Sequence, residues 1–134
     1  MVKGFVSIEN LARIVGETGP FSDFKSAKQI KRYAGMNICI HESGQFKGQR
    51  KLSKKGRPRL RLILGQSIFH LVKKDRILGE YYHSLKDRHA MNGTKAMSMV
   101  SRKLVDVLFA LSKPGCVFDE KRLFECIGQY KKAA

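Results

Sequence analysis

The residues with the clearest chemical potential are Ser43 and Gly44, at the entrance of a basic segment. Residues 41–61, HESGQFKGQRKLSKKGRPRLR, hold eight Lys and Arg and no acid after Glu42. A serine hydroxyl becomes a nucleophile when a base or nearby cations stabilise its alkoxide. His41, two residues earlier, would share a strand face with Ser43 and is a candidate base. The alternative interpretation is a Ser-Gly turn in a surface loop.

The cations of this segment suit a phosphate backbone. They have no acids within the segment to pair with, its glycines allow the chain to approach a phosphate closely, and Ser53 adds a hydroxyl donor. Lysine and arginine contact the backbone of any nucleic acid, so nothing here indicates reading of particular bases. The predicted nucleic-acid-binding residues are Lys47, Arg50, Lys51, Lys54, Lys55, Arg57, Arg59 and Arg61.

The overall charge favours the same class of partner. The chain has 134 residues, with 27 Lys and Arg against 11 Asp and Glu, which gives a net charge of +16. A polyanion relieves the repulsion among so many cations, so nucleic acid is the leading partner. An acidic membrane surface ranks second, because it requires a basic amphipathic helix and the basic run is broken by Gly48, Gly56 and Pro58. We therefore predict nucleic-acid binding and no membrane association.

Metal chemistry is not indicated by the residue spacing. Cys39, Cys116 and Cys126 form no CxxC pair, the acids are scattered, and the four histidines do not share a helix face. His70 lies in an apolar stretch and is interpreted as a core or boundary residue. No signal peptide or membrane span is recognisable, and three unpaired cysteines suit a reducing compartment. The predicted location is cytoplasmic, associated with the nucleoid.

Apolar residues at helical spacing dominate the rest of the chain. They are Ile8, Leu11, Ile14 and Val15, then Leu60, Ile63, Leu64, Ile68 and Leu71, and finally Met97, Val100, Leu104, Val107, Leu108 and Leu111. The predicted helix starts are Ser7, Ser26, Pro58, Asp75 and Gly93. A Gly19-Pro20 turn follows the first helix, Gly35 ends the second, and only residues 36–41, MNICIH, read as a strand. The fold class is mainly α: a compact helical domain with an N-terminal helix–hairpin–helix-like pair and a long basic central loop. We predict a single domain over residues 1–134, with a core at about 7–112 and a tail at 113–134.

Several short stretches, taken in order, resemble a known family. "GPFSDFKSAKQIKRYAGM" is followed by a Ser-Gly pair and then by "GQRKLSKKGRPRLRLIL". This order is similar to the C-terminal domain of the bridge-RNA-guided insertion-sequence transposases, the serine-containing DEDD transposases. The matching positions are Glu17 to Gly19, Phe24, Ser26 to Gln29, Tyr33 to Gly35, Ser43-Gly44, Ser53-Lys54, Gly56 and Leu60-Arg61. The resemblance covers roughly residues 7–112.

The resemblance implies a function and several partners. Ser43 would attack a DNA phosphodiester and form a covalent phosphoserine link during strand exchange. An N-terminal RuvC-like domain, whose four acidic residues bind Mg²⁺, would work beside it; that domain is absent from this sequence, and this chain itself would bind no cofactor. A structured guide RNA and a homo-oligomer with full-length transposase protomers are also implied.

The sequence departs from the family pattern at two places. Arg57 stands where asparagine is usual and is followed by Pro58, and the proline expected near residues 36–38 is missing. We expect a fragment of a longer transposase, in which strand-transfer activity requires the RuvC-like partner. Two alternatives remain: a non-catalytic module that grips the phosphate backbone, and a basic RNA-binding accessory protein, which explains the charge but not the ordered matches.

Overall fold

Five helices and four short strands make up the described part of the chain. The computed structural model describes residues 6–40, 42–48, 50–74, 76–115, 119 and 121–122, and side chains at 42, 43, 46, 47, 74 and 76 lie outside that description. The elements in order are α1 (Ile8–Thr18), a 3-10 turn (Phe21–Asp23), α2 (Ala27–Tyr33), β1 (Ile38–Cys39), β2 (Glu42–Ser43), β3 (Phe46–Lys47), β4 (Lys51–Leu52), α3 (Pro58–Lys74), α4 (Arg76–His89) and α5 (Gly93–Leu111). The predicted mainly helical fold is confirmed.

The helix ends follow from local side-chain chemistry. The Ser7 hydroxyl accepts a hydrogen bond from the Asn10 amide at 3.3 Å, so the predicted cap of α1 is confirmed. Pro58 opens α3 as predicted. Helix α5 begins at Gly93, as predicted, and its cap is Asn92, whose side chain accepts from the Lys95 amide at 2.9 Å. Asp75, the predicted cap of α4, lies outside the described residues.

Helix α3 is the central element of the core. It packs against α1, α4 and α5, and its inward face carries the predicted apolar residues. These are Leu60, Ile63, Leu64, Ile68 and Leu71, all buried. On α5, Val105 is buried, whereas the predicted Val107 is only partly buried. Burying one continuous apolar face of α3 supplies the main hydrophobic driving force for this arrangement.

Helices α1 and α2 pack on different partners. They are consecutive and joined by the Gly19-Pro20 turn and the 3-10 turn, as predicted. However, α1 packs mainly on α3 and α2 mainly on α5, where Lys31 Nζ lies 2.6 Å from Asp106 Oδ1. Only part of the predicted apolar stripe of α1 is therefore covered: Ile14 is buried, while Ile8 remains 84% exposed.

The central basic segment contains more structure than the predicted loop. Strand β1 pairs with β4 in antiparallel register, Ile38 opposite Leu52, and the two strands flank a β2–β3 hairpin with Ser43 opposite Phe46. The segment is thus a long hairpin interrupted between its two ladders. The predicted strand at residues 36–41 is shortened to Ile38–Cys39. Each ladder is only two residues long, which is why alternation in the sequence gave little sign of it.

Candidate nucleic-acid interface

The basic segment is attached to the end of α2 by a close contact between two glycines. A Cβ at Gly56 would lie 2.4 Å from the Gly35 amide nitrogen and 2.5 Å from the Tyr33 carbonyl oxygen. Gly35 has a φ of 70°, a left-handed conformation that favours glycine, and it ends α2 as predicted. We call the contact between residues 33–37 and residues 53–61 the clasp. Its two glycines allow two stretches of backbone to touch directly.

Backbone hydrogen bonds close the clasp. The Ser53 amide donates to the Asn37 carbonyl at 2.8 Å, the Lys54 amide to the Gly35 carbonyl at 3.0 Å, and the Arg57 amide to the Tyr33 carbonyl at 3.0 Å. The Ser53 hydroxyl also donates to Asn37 Oδ1 at 2.6 Å. The bond from Arg57 satisfies the Tyr33 carbonyl, which the end of α2 leaves without a helical partner. The loop before α3 is consequently fixed to the end of α2.

Arg61 supports the same contact from α3. Its Nη1 donates to the Ala34 carbonyl at 2.9 Å and approaches the Lys54 carbonyl at 3.3 Å. One guanidinium thus joins both sides of the clasp, which lysine could not do with the same geometry. Arg61 was predicted as a nucleic-acid-binding residue, and it is engaged here in holding the fold.

Two further arginines are exposed at the surface and also form ion pairs within the fold. Arg57 Nη1 and Arg59 Nε lie 3.6 Å and 3.2 Å from the two carboxylate oxygens of Glu17 on α1. The Arg57 guanidinium also lies 5.1 Å from the centroid of the Tyr33 ring, within cation–π range. The Tyr33 ring meets that of Phe24 edge-to-face, with centroids 5.8 Å apart. The positive charge of these arginines is partly offset by Glu17 before any ligand binds.

Four of the predicted phosphate contacts have free side chains. Arg50, Lys51, Lys54 and Lys55 are exposed, and none of them makes an ion pair within the described residues. Lys51 lies in β4, and the other three lie in the connections before and after that strand. They therefore present positive charge, without acidic partners in the described part of the chain, along residues 50–55. The side chain of Lys47 lies outside the described residues, so its predicted role stays a prediction.

Ser43 stands beside a tight turn. It is the last residue of β2, and only Gly44 and Gln45 separate it from β3. Gly44 has a φ of 59°, while Gln45 is not among the residues with positive φ, a combination typical of a type II′ turn. The predicted Ser-Gly turn is thus present, with the serine at its edge. The Ser43 side chain and His41, the candidate base, lie outside the described residues.

No metal-binding cluster is found among the described residues. Nowhere in that part of the chain do three or more His, Cys, Asp or Glu side chains come together in a way that could hold an ion. Cys39 is a free, half-buried thiol, and Cys116 and Cys126 lie outside the described residues. None of the described helices is long and apolar enough to cross a membrane.

Sequence reasoning missed the roles of Glu17 and Asn37. Glu17 matched the resemblance but received no function, and in the structure it joins α1 to two arginines at the start of α3. Asn37 accepts from Ser53 on the opposite side of the clasp. The available signal was the order of the matched stretches, since residues that recur together at fixed places are often neighbours in the fold. The spacing of the matched residues along the chain did not by itself indicate which of them would be in contact.

A model of one known protein family matches more than half of this chain. The sequence model described as the "Transposase IS116/IS110/IS902 family" matches residues 4–83. The matched range includes both sides of the clasp, the β2–β3 hairpin and all of α3. Among curated proteins, no sequence matches this chain. Because the family model covers more than half of the 134 residues, the chain belongs to the IS116/IS110/IS902 transposase family.

Proposed function

We propose that this chain acts in DNA transposition as a DNA-binding domain whose Ser43 attacks a DNA phosphodiester. Membership of the transposase family supports the role in transposition. The observation that carries the more specific proposal is the position of Ser43 at the turn of a hairpin inside the matched range. A residue at the end of a hairpin lies where a large substrate can approach the backbone. Exposed cations follow within the same segment.

The proposed reaction is a transesterification. The Ser43 hydroxyl loses its proton to a base, and Oγ forms a bond to phosphorus while the bond from phosphorus to one DNA oxygen breaks. The released oxygen takes up a proton, and the phosphate stays bound to serine as a diester. Because the diester bond is conserved, a DNA hydroxyl can later attack the phosphoserine and release the enzyme. His41 is the candidate base by its position in the sequence.

The exposed cations would hold the phosphodiester during this reaction. Arg50, Lys51, Lys54 and Lys55 contribute four positive charges that no described acid neutralises. A phosphorane-like transition state gains negative charge on its non-bridging oxygens, and nearby cations stabilise that charge. Arg57, Arg59 and Arg61 would act mainly by fixing the loop that carries these lysines. The remaining predicted contact, Lys47, would lie next to the turn on β3.

The family resemblance adds partners to this proposal. A RuvC-like domain would contribute the carboxylates for Mg²⁺ and complete the reaction centre, in the same polypeptide or in another protomer of an oligomer. A structured guide RNA would select the DNA sites. The cations around the clasp do not distinguish base sequences, which agrees with a division of labour in which another component reads the sequence.

A covalent-adduct experiment tests the role of Ser43. The chain is incubated with a RuvC-like partner and end-labelled DNA, and adducts that resist denaturation are counted. We expect an adduct with the natural chain and none with Ser43→Ala. Ser22→Ala, which removes an exposed serine outside the basic segment, should retain it. Equal adduct yields in the natural chain and Ser43→Ala would contradict the proposal.

A non-catalytic DNA-binding module is the second candidate. The engagement of Arg57, Arg59 and Arg61 within the fold supports it, because the segment then has a structural purpose that needs no nucleophile. On this proposal Ser43→Ala binds DNA like the natural chain, and neither protein forms an adduct. The same experiment therefore separates the two functions.

A further inference from the structure

The outer face of α3 forms a second surface suited to nucleic acid. Residues 59, 62, 66, 69 and 73 fall within about 80° of the helix circumference and extend over about 21 Å. Leu62 and Phe69 are 58% and 54% exposed, although α3 is the central helix of the core. Gln66 and Lys73 on the same face are also exposed. This face runs along α3 from Arg59, which lies within the clasp, to Lys73.

The charge of this face is entirely positive or neutral. Helix α3, PRLRLILGQSIFHLVKK, contains no Asp or Glu over its 17 residues. Neighbouring α1 adds Arg13, whose Nη1 donates to Gln66 Oε1 at 3.3 Å. Glu17 of α1 is already paired with Arg59 at the beginning of α3. An anionic partner could therefore follow the whole face without meeting an unpaired carboxylate of α3.

Phe69 is the distinctive group on this face. Lys73 Nζ lies 4.4 Å from the centroid of its ring, and the ring of His70 meets it edge-to-face with centroids 6.1 Å apart. His70 is exposed, so its interpretation as a core or boundary residue was wrong. An exposed aromatic ring beside a lysine is the arrangement on which an unpaired base stacks while the cation binds its phosphate. Bases within a duplex are already stacked on each other and cannot use such a ring.

We propose that Phe69 and Lys73 form a binding site for an unpaired nucleotide of single-stranded DNA. The base stacks on the Phe69 ring, and the flexible Lys73 side chain turns from the ring to the adjacent phosphate. Leu62 and Gln66 continue the contact towards Arg59 and the exposed lysines of the basic segment. The proposal rests on the proposed function in taking DNA as the partner, but it does not depend on Ser43 as nucleophile.

Binding of a single-stranded oligonucleotide with a fluorescent base analogue tests this site. Phe69→Ala should weaken single-strand binding about tenfold, in line with the loss of one stacked base, and leave duplex binding unchanged. Phe69→Tyr keeps the ring and should bind like the natural chain. Ile8→Ala, which removes an exposed apolar side chain of α1 outside this face, should bind like the natural chain. Circular dichroism of each variant confirms that the helices are intact.

Other outcomes would overturn the proposal. Equal affinity of Phe69→Ala and the natural chain for single-stranded DNA would exclude stacking at this position. A ring-dependent loss seen with single-stranded RNA of the same sequence and not with DNA would assign the site to RNA. A change of oligomeric state on Phe69→Ala, measured by light scattering, with unchanged binding would indicate a protein contact. The adduct assay on Ser43 is separate, so failure here leaves the proposed function standing.

Discussion

The clasp and the β2–β3 hairpin are close in sequence but are held in different ways. The clasp joins residues 33–37 to residues 53–61 through backbone hydrogen bonds, two touching glycines and the fork of Arg61. The hairpin is held by its own two-residue ladder and the Gly44 turn. Both carry stretches that match the family resemblance. Matched residues therefore divide into those that hold the clasp together and those, such as Ser43 in the hairpin, for which we propose a role in the reaction.

The division explains why arginine and lysine differ within one basic segment. Arg57, Arg59 and Arg61 have internal partners, and their multiple donors and flat guanidinium suit that purpose. Lys51, Lys54 and Lys55 are exposed and form no ion pair with a described residue. The arginines therefore fix the backbone from which the lysines extend. From the total charge alone, these arginines and lysines would all be predicted to contact phosphate in the same way.

The largest expected effect is that of Gly56→Ala. Its Cβ would collide with backbone atoms at 2.4 and 2.5 Å, and backbone cannot move aside without breaking the clasp. We expect a loss of at least about 3 kcal/mol in the free energy of unfolding, measured by urea denaturation. In a chain of this size such a loss is a large share of the total stability.

Two matched glycine substitutions sharpen that result. A Cβ at Gly65 in α3 meets nothing within 4 Å, so Gly65→Ala should be neutral or stabilise the protein by up to about 1 kcal/mol. Gly44→Ala has equal space but a φ of 59°, and should strain the hairpin by about 1 kcal/mol. If Gly56→Ala lowered the free energy of unfolding no more than these two variants, the close backbone contact of the clasp would not be important for holding the segment in place.

An intermediate effect is expected from removing charge in two ways. Lys51→Ala with Lys55→Ala should lower the slope of log affinity against log salt by about two, because two phosphate contacts are lost. Stability should stay unchanged, since both side chains are exposed and unpaired. The matched pair, Arg57→Ala with Arg59→Ala, removes the same charge but also the partners of Glu17. It should lower stability by about 1 kcal/mol and change the slope less. Equal slopes for both pairs would mean that the arginines face DNA as freely as the lysines.

Local patterns predicted the helices because their determinants are local. The Ser7 cap, Pro58 at a helix start and the spacing of Leu60, Ile63 and Leu64 each act within one or two turns. The clasp was not predicted, since its contacts join residues about 20 positions apart and depend on which backbone carbonyls remain free. The exposure of Phe69 was also not predictable, because the helical pattern of α3 does not reveal which flank its neighbours cover.

Knowledge of the candidate site from sequence was limited for a different reason. The order of short stretches indicated the transposase family, and the family match confirms it. The role proposed for Ser43 would depend on a bound DNA and a neighbouring domain, neither of which is encoded in the spacing of Ser43, Gly44 and the cations. Glu17 on α1 forms an ion pair with Arg59 because the fold brings α1 next to the basic segment. The sequence therefore did not indicate which cations would remain without an acidic partner.

The smallest expected effect separates stability from binding at a single residue. Lys54 adopts a φ of 53°, a left-handed conformation that is unfavourable for lysine and easy for glycine. Lys54→Gly should therefore stabilise the protein by about 0.5 kcal/mol after the entropy cost of glycine, while lowering the salt slope by about one. Lys55→Gly, without a positive φ, should lower the slope equally but destabilise the protein by about 0.5–1 kcal/mol. Urea denaturation and salt-dependent binding of the two variants give both quantities. If Lys54→Gly raises the free energy of unfolding and Lys55→Gly lowers it, with equal loss of binding, then Lys54 supplies its charge from a backbone conformation that costs stability. If both variants change the free energy of unfolding in the same direction, the separation between a fixed backbone and the free cations on it no longer holds.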